Sequence, residues 1–152
     1  MPNTPVSLGR GVVALHVAQR NAETEAVAAL MAPLGLVEWI DDEALFDAVT
    51  ALSGCGPAFL FRFIDAMGVA GAALGLPPEQ AARLALATVD GAAALAVAGG
   101  EPPAVLADRV ASPGGSTRAG LNMLDAEDGL ESLMNRTLDA ARRRNAELAR
   151  GG

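Results

Sequence analysis

The spacing of apolar residues changes character once along the chain. In the first 40 or so residues the apolar runs are short and dense. Gly11-Val12-Val13-Ala14-Leu15-His16-Val17 and Leu36-Val37-Glu38-Trp39-Ile40 both read as strands. Between them, Asn21 is suited to cap a helix from about Ala22 to Leu34, with Gly35 as its stop. From Ala44 onward the strand signals cease. Leu45, Val49 and Leu52 lie on one helical stripe, and after an interruption at Ser53-Gly54-Cys55-Gly56-Pro57 a long apolar helix is expected from Ala58 to Leu74. Gly75-Leu76-Pro77-Pro78 separates it from an alanine-rich helix, Glu79 to about Ala98. Shorter helices follow over Pro103–Val110 and Arg118–Leu124. A last helix, Glu127–Arg150, repeats Leu130, Leu133, Met134, Leu138 and Ala141 at helical spacing.

The predicted fold is mainly α, with a small strand-helix-strand piece (residues 1–43) ahead of an all-helical body (residues 44–152). Two strands and one helix have little core of their own, so the first piece reads as part of something larger. Apolar residues make up 51% of the 152, but aromatics only 3%, and much of the remainder is alanine. Alanine favours helix while burying little area, so the helical body must gain its core by close helix approach and by association. Gly68, Gly71 and Gly75 read as points where another backbone comes near. The surface predicts an intertwined homodimer on the helices from Ala58 to Ala98, with larger rings of dimers possible.

A formal net charge of -7 argues against a nucleic-acid partner. One cysteine and one histidine leave no disulfide scaffold, thiolate metal site or His-based triad. His16 reads as structural and Cys55 as a small core residue. Asp90 and Asp108 each lack a partner carboxylate for acid–base work. Met1-Pro2-Asn3-Thr4-Pro5 has no signal-peptide character, and Leu84–Gly100 reads as too short and too weakly apolar for a membrane span. The expectation is a cytoplasmic, soluble protein.

Ser112-Pro113-Gly114-Gly115-Ser116-Thr117 carries the most information. Two glycines and two hydroxyls lead into a helix, whose first turn leaves amide hydrogens unpaired. Such a turn can seat a carboxylate or phosphate. It can equally be an ordinary helix start, capped by Ser116 or Thr117.

Met1-Pro2-Asn3-Thr4-Pro5, Ala51-Leu52-Ser53-Gly54-Cys55-Gly56-Pro57-Ala58 and Ser112-Pro113-Gly114-Gly115-Ser116-Thr117, in this order and spacing, resemble the pyrroline-5-carboxylate reductase family. The resemblance implies a helical dimerisation domain preceded by the tail of a Rossmann-like domain, without the glycine-rich dinucleotide fingerprint. It implies reduction of 1-pyrroline-5-carboxylate to L-proline with NADPH or NADH, and it makes this chain the substrate-binding and dimerisation part. By the resemblance, Ser112, Gly114, Gly115, Ser116 and Thr117 bind the substrate carboxylate. Thr117 is the catalytic candidate beside the ring nitrogen, and Pro2, Asn3 and Thr4 lie near the nicotinamide. Cys55 stands where the family usually has serine, and Arg118 where it more often has an uncharged residue. Alone, the chain is expected to have little or no reductase activity. The other reading is a non-catalytic oligomerising helical module, or the partner of a separately encoded cofactor domain.

Overall fold

In the computed structural model, which describes residues 1–151, the chain divides into two units. The first comprises Met1–Phe59 and the C-terminal stretch from Asn135; the second is Leu60–Met134.

The first unit opens with a 3₁₀ turn, Thr4–Leu8, and then builds the expected strand-helix-strand piece. Strands β1 (Gly11–Leu15) and β2 (Gly35–Trp39) pair in parallel, from Gly11 opposite Gly35 to Leu15 opposite Trp39. Helix α1 (Ala22–Met31) crosses between them and runs into a short 3₁₀ turn, Ala32–Leu34. Asn21 and Thr24 close a reciprocal capping box at the start of α1, each side chain accepting from the other's backbone amide at 2.9 Å. On its other side β1 is flanked by Met1–Asn3. Asn3 donates its amide to Val12, Ala14 donates to Met1, and Pro2 lies antiparallel to Val13. His16 donates from Nδ1 to the Ile40 carbonyl (2.8 Å), the structural role expected of it.

After a 3₁₀ turn, Glu43–Leu45, helix α2 (Phe46–Val49) does not stop at the glycine-rich interruption, as the sequence reading has it. It widens into a π turn, Thr50–Gly54, in which Cys55 donates to Thr50 five residues back, and then continues as α3 (Gly56–Ala73). A side chain added at Gly56 would meet nothing within 4 Å, so no other backbone packs close against that glycine. The C-terminal part of α7 (Leu130–Gly151) belongs to this unit, where Asn145 donates to Asp47 at 2.5 Å and Leu138 lines a groove with Ala48, Ala51 and Leu52.

The second unit holds most of α3, then α4 (Pro78–Gly99), α5 (Pro103–Arg109), α6 (Ser116–Leu124) and the start of α7. Helices α3 and α4 approach closely where the sequence places small residues. A Cβ on Gly68 would sit 3.3 Å from the Ala82 Cα, and one on Gly71 would sit 3.3 Å from the Ala81 Cβ. Gly75 does not share that role; with φ of 102° it makes the turn after α3. The last helix begins at Leu130 instead of Glu127, because Glu127 and Asp128 form a turn closed by Gly129 donating to Ala126.

The buried apolar residues are nearly all alanines: Ala14, Ala28, Ala51, Ala81, Ala85 and Ala111, with Val13. The large ones are outside. Phe61 is 67% exposed, Val69 65%, Leu95 64% and Val97 85%. A groove of about 590 Å³ runs along α3 and α4, lined by Phe61, Ile64, Val69, Ala82 and Leu86 among others. By length and composition alone the helical run Glu43–Ala73 and helix α4 are apolar enough to cross a bilayer, a test that the core helices of soluble proteins also pass. The same exposed side chains suit a helix–helix interface between copies.

Candidate functional site

In the second unit, six residues connect α5 to α6, and only Ala111 among them is buried. Ser112-Pro113-Gly114-Gly115 folds as a β-turn in which Gly115 donates to the Ser112 carbonyl at 3.0 Å. Proline at the second position and a φ of 71° at Gly114 make it a type II turn, a shape that wants glycine at its third position. Gly115 is needed for another reason. A Cβ there would fall 2.7 Å from the Ser112 Oγ and 3.1 Å from the Ser112 carbonyl oxygen.

Gly115 is also the N-cap of α6, with extended backbone (φ −79°, ψ 166°) and no side chain to cap with. Neither Ser116 nor Thr117 caps the helix, since both already lie inside its first turn, two residues earlier than the sequence reading starts it. The first backbone bond of the helix runs from the Ala119 amide to the Gly115 carbonyl. The amides of Ser116, Thr117 and Arg118 are therefore left without a partner among the described residues, and they sit on an exposed turn with three hydroxyls. Three adjacent N–H donors at the positive end of a helix dipole can seat an anion without lysine, histidine or metal. Ser112, Gly114, Gly115, Ser116 and Thr117 are thus gathered into one feature. Arg118 is drawn off it, with its Nη2 2.7 Å from the Asp108 Oδ1.

Pro2, Asn3 and Thr4 belong to the first unit, where Asn3 has a role the sequence reading missed. Its Oδ1 accepts from the Val12 amide at 2.8 Å, and its Nδ2 donates to the Ser53 carbonyl at 2.9 Å. In an α-helix the Ser53 carbonyl would accept from residue 57. That residue is Pro57, which has no N–H. The helix answers with the π turn, and the orphaned carbonyl is taken by Asn3 from fifty residues away. The signal was available as a proline four residues after Ser53, but nothing local names the group that answers it. Thr50 and Ser53 add further ties: the Thr50 hydroxyl donates to the Met1 sulfur (3.1 Å) and the Ser53 hydroxyl donates to Val49 (2.9 Å).

Between β1 and α1, where a glycine-rich turn would cradle a dinucleotide pyrophosphate, the chain has a different composition. The turn joining β1 to α1, His16-Val17-Ala18-Gln19-Arg20-Asn21, contains no glycine. Among the described residues no group of acidic, histidine or cysteine side chains could hold a metal ion.

Residues 43–148 match a family profile described as pyrroline-5-carboxylate reductase dimerisation. Among curated proteins, the chain is 46% identical over 151 residues to a pyrroline-5-carboxylate reductase of Pseudomonas aeruginosa, covering 98% of this chain and 55% of that protein. It is 40% identical to the enzyme of that name from Pisum sativum, covering 94% and 53% respectively. Among solved structures, a pyrroline-5-carboxylate reductase from Coxiella burnetii superposes with a TM-score of 0.90 at 35% identity, over 97% of this chain and 55% of that one. A Plasmodium falciparum pyrroline carboxylate reductase with NADP bound superposes with a TM-score of 0.79 at 31% identity, over 95% and 59%. The chain spans about half the length of the curated relatives it matches.

Proposed function

The chain belongs to the pyrroline-5-carboxylate reductase family, and from that premise we propose that it supplies the substrate-binding and dimerisation part of a reductase that turns 1-pyrroline-5-carboxylate into L-proline. The observation that carries the reading is the row of three unpartnered amides at Ser116, Thr117 and Arg118, behind a glycine turn inside the family-matched segment.

Reduction of a cyclic imine needs its carboxylate anchored, hydride delivered to the ring carbon, and a proton placed on nitrogen. A nicotinamide cofactor, NADPH or NADH, supplies the hydride when bound. Pro2, Asn3 and Thr4 would meet only its nicotinamide end, because the residues present offer no seat for its phosphates. This chain's share is therefore placement. The amides of residues 116–118 and the hydroxyls of Ser112 and Ser116 hold the carboxylate, and Gly114 and Gly115 keep that approach open. The Thr117 hydroxyl, fixed one residue into the helix, orients the ring nitrogen and relays its proton from water. In functional terms residues 1–43 form the end of the cofactor domain and residues 44–152 the substrate and dimer domain. Two copies close over the exposed apolar faces of α3 and α4 as an interlocked homodimer, and the protein is soluble and cytoplasmic.

Proton–nitrogen correlation spectra of the labelled chain test this. Added L-proline should shift the amide signals of Gly115 to Arg118 saturably, and a Gly115→Val variant should lose the response. An oligomerising module without a ligand would dimerise yet show no such shifts, and that result would refute the reading.

A further inference from the structure

Arg118 is the only cation between Arg109 and Arg136, in a chain that has no lysine. It stands third in α6, so its own amide is one of the three free donors. Helical Cα–Cβ bonds tilt toward the N-terminus, which starts the Arg118 side chain back along the turn where those donors sit. An arginine so placed is the side chain best suited to fork onto a bound carboxylate. It does not do so in this structure. Its side chain is only 31% exposed, and its Nη2 lies 2.7 Å from the carboxylate of Asp108, at the end of α5. The Asp108 backbone closes the end of α5, its carbonyl accepting from the Ala111 amide at 3.1 Å, while its side chain is 70% exposed. The neighbouring Arg109 is held separately by Glu101, at 2.9 Å.

We propose that Asp108 is a charge-setting residue of the carboxylate seat. By engaging Arg118 it withholds the one nearby guanidinium from the ligand, so that a carboxylate is recognised by main-chain donors with no net side-chain charge. This inference rests on the seat proposed above. It makes Asp108, outside the motif and without an acid–base partner, a determinant of how tightly product and substrate are held.

The pair predicts opposite signs for its two single substitutions. Asp108→Asn releases Arg118 toward the ligand, and L-proline affinity should rise about fivefold. Arg118→Ala leaves the Asp108 carboxylate uncompensated beside the seat, and affinity should fall about fivefold. The double variant should return to within about twofold of the unaltered chain, and Arg118→Lys should lie close to it as well. Isothermal titration calorimetry with L-proline at low salt reads all five proteins, with circular dichroism confirming that each is folded. Both differences should shrink at about 1 M salt, where screening reaches within about 3 Å. A pair that merely braced the loop would weaken binding in both single variants, and that outcome overturns the inference, as does unchanged affinity in both. If the unaltered chain gives no saturable heat, the seat itself is refuted and this inference falls with it.

Discussion

Replacing Asn3 by alanine should cost more than its place in an exposed N-terminal loop suggests. The substitution removes two hydrogen bonds at once and leaves the Val12 amide and the Ser53 carbonyl without partners. A buried polar group stripped of its partner costs roughly 1–3 kcal/mol. Both groups here are half-buried, so water recovers part of that and the two together should come to about 2 kcal/mol. Asn3→Asp should lose nearly as much, because it keeps an acceptor for Val12 but sets an oxygen against the Ser53 carbonyl. Pro57 supplies the internal check. Pro57→Ala restores an N–H four residues after Ser53, giving that carbonyl a local partner, so the loss caused by Asn3→Ala should shrink by about 1 kcal/mol in the double variant. Urea unfolding followed by circular dichroism, at one fixed protein concentration, measures each variant. A cost below about 0.5 kcal/mol for Asn3→Ala, or additive effects of the two substitutions, would refute the coupling of the π turn to Pro57 and Asn3.

Gly114→Ala should lose about 1 kcal/mol, since φ of 71° disfavours any residue with a Cβ; the same denaturation assay reads it. Gly68→Leu drives a side chain into the backbone of α4, where even a Cβ would lie 3.3 Å from the Ala82 Cα, and should cost roughly 1–3 kcal/mol, seen as a lowered thermal midpoint. The Asp139 carboxyl is held below the ordinary aspartate range by hydrogen bonds from Arg142 and Arg143. Its contribution to stability is therefore full above its unfolded pKa and lost only as pH falls through the lowered folded value. A carbon-detected NMR titration should show its midpoint rise in Arg142→Ala and Arg143→Ala. Mixed with NADPH and 1-pyrroline-5-carboxylate, this chain alone should consume cofactor far more slowly than the ~10 per second of a typical enzyme.

The elements built from local rules were readable without coordinates. Dense Val and Leu runs marked β1 and β2, Asn21 marked the start of α1, and the glycines at 68 and 71 foretold the close approach of α4. The π turn was not readable, since its cause lies at Pro57 and its remedy at Asn3. The bend therefore looked like a break. At the site, the glycine turn and the free amides followed from composition and from the fixed geometry of a helix start. What the sequence reading lacked was the company each side chain keeps: Asp108 appeared as an acid without a partner and Arg118 as an unexplained charge, yet they are partners.

The outward placement of Phe61, Val69, Leu95 and Val97 has a thermodynamic corollary. Under the proposed pairing, a subunit whose oily side chains find shelter on its partner has no melting temperature of its own. Folding and pairing become one mass-action equilibrium, so each tenfold dilution should remove about 1.4 kcal/mol per mole of assembled pair, and scarcity alone can unfold the chain.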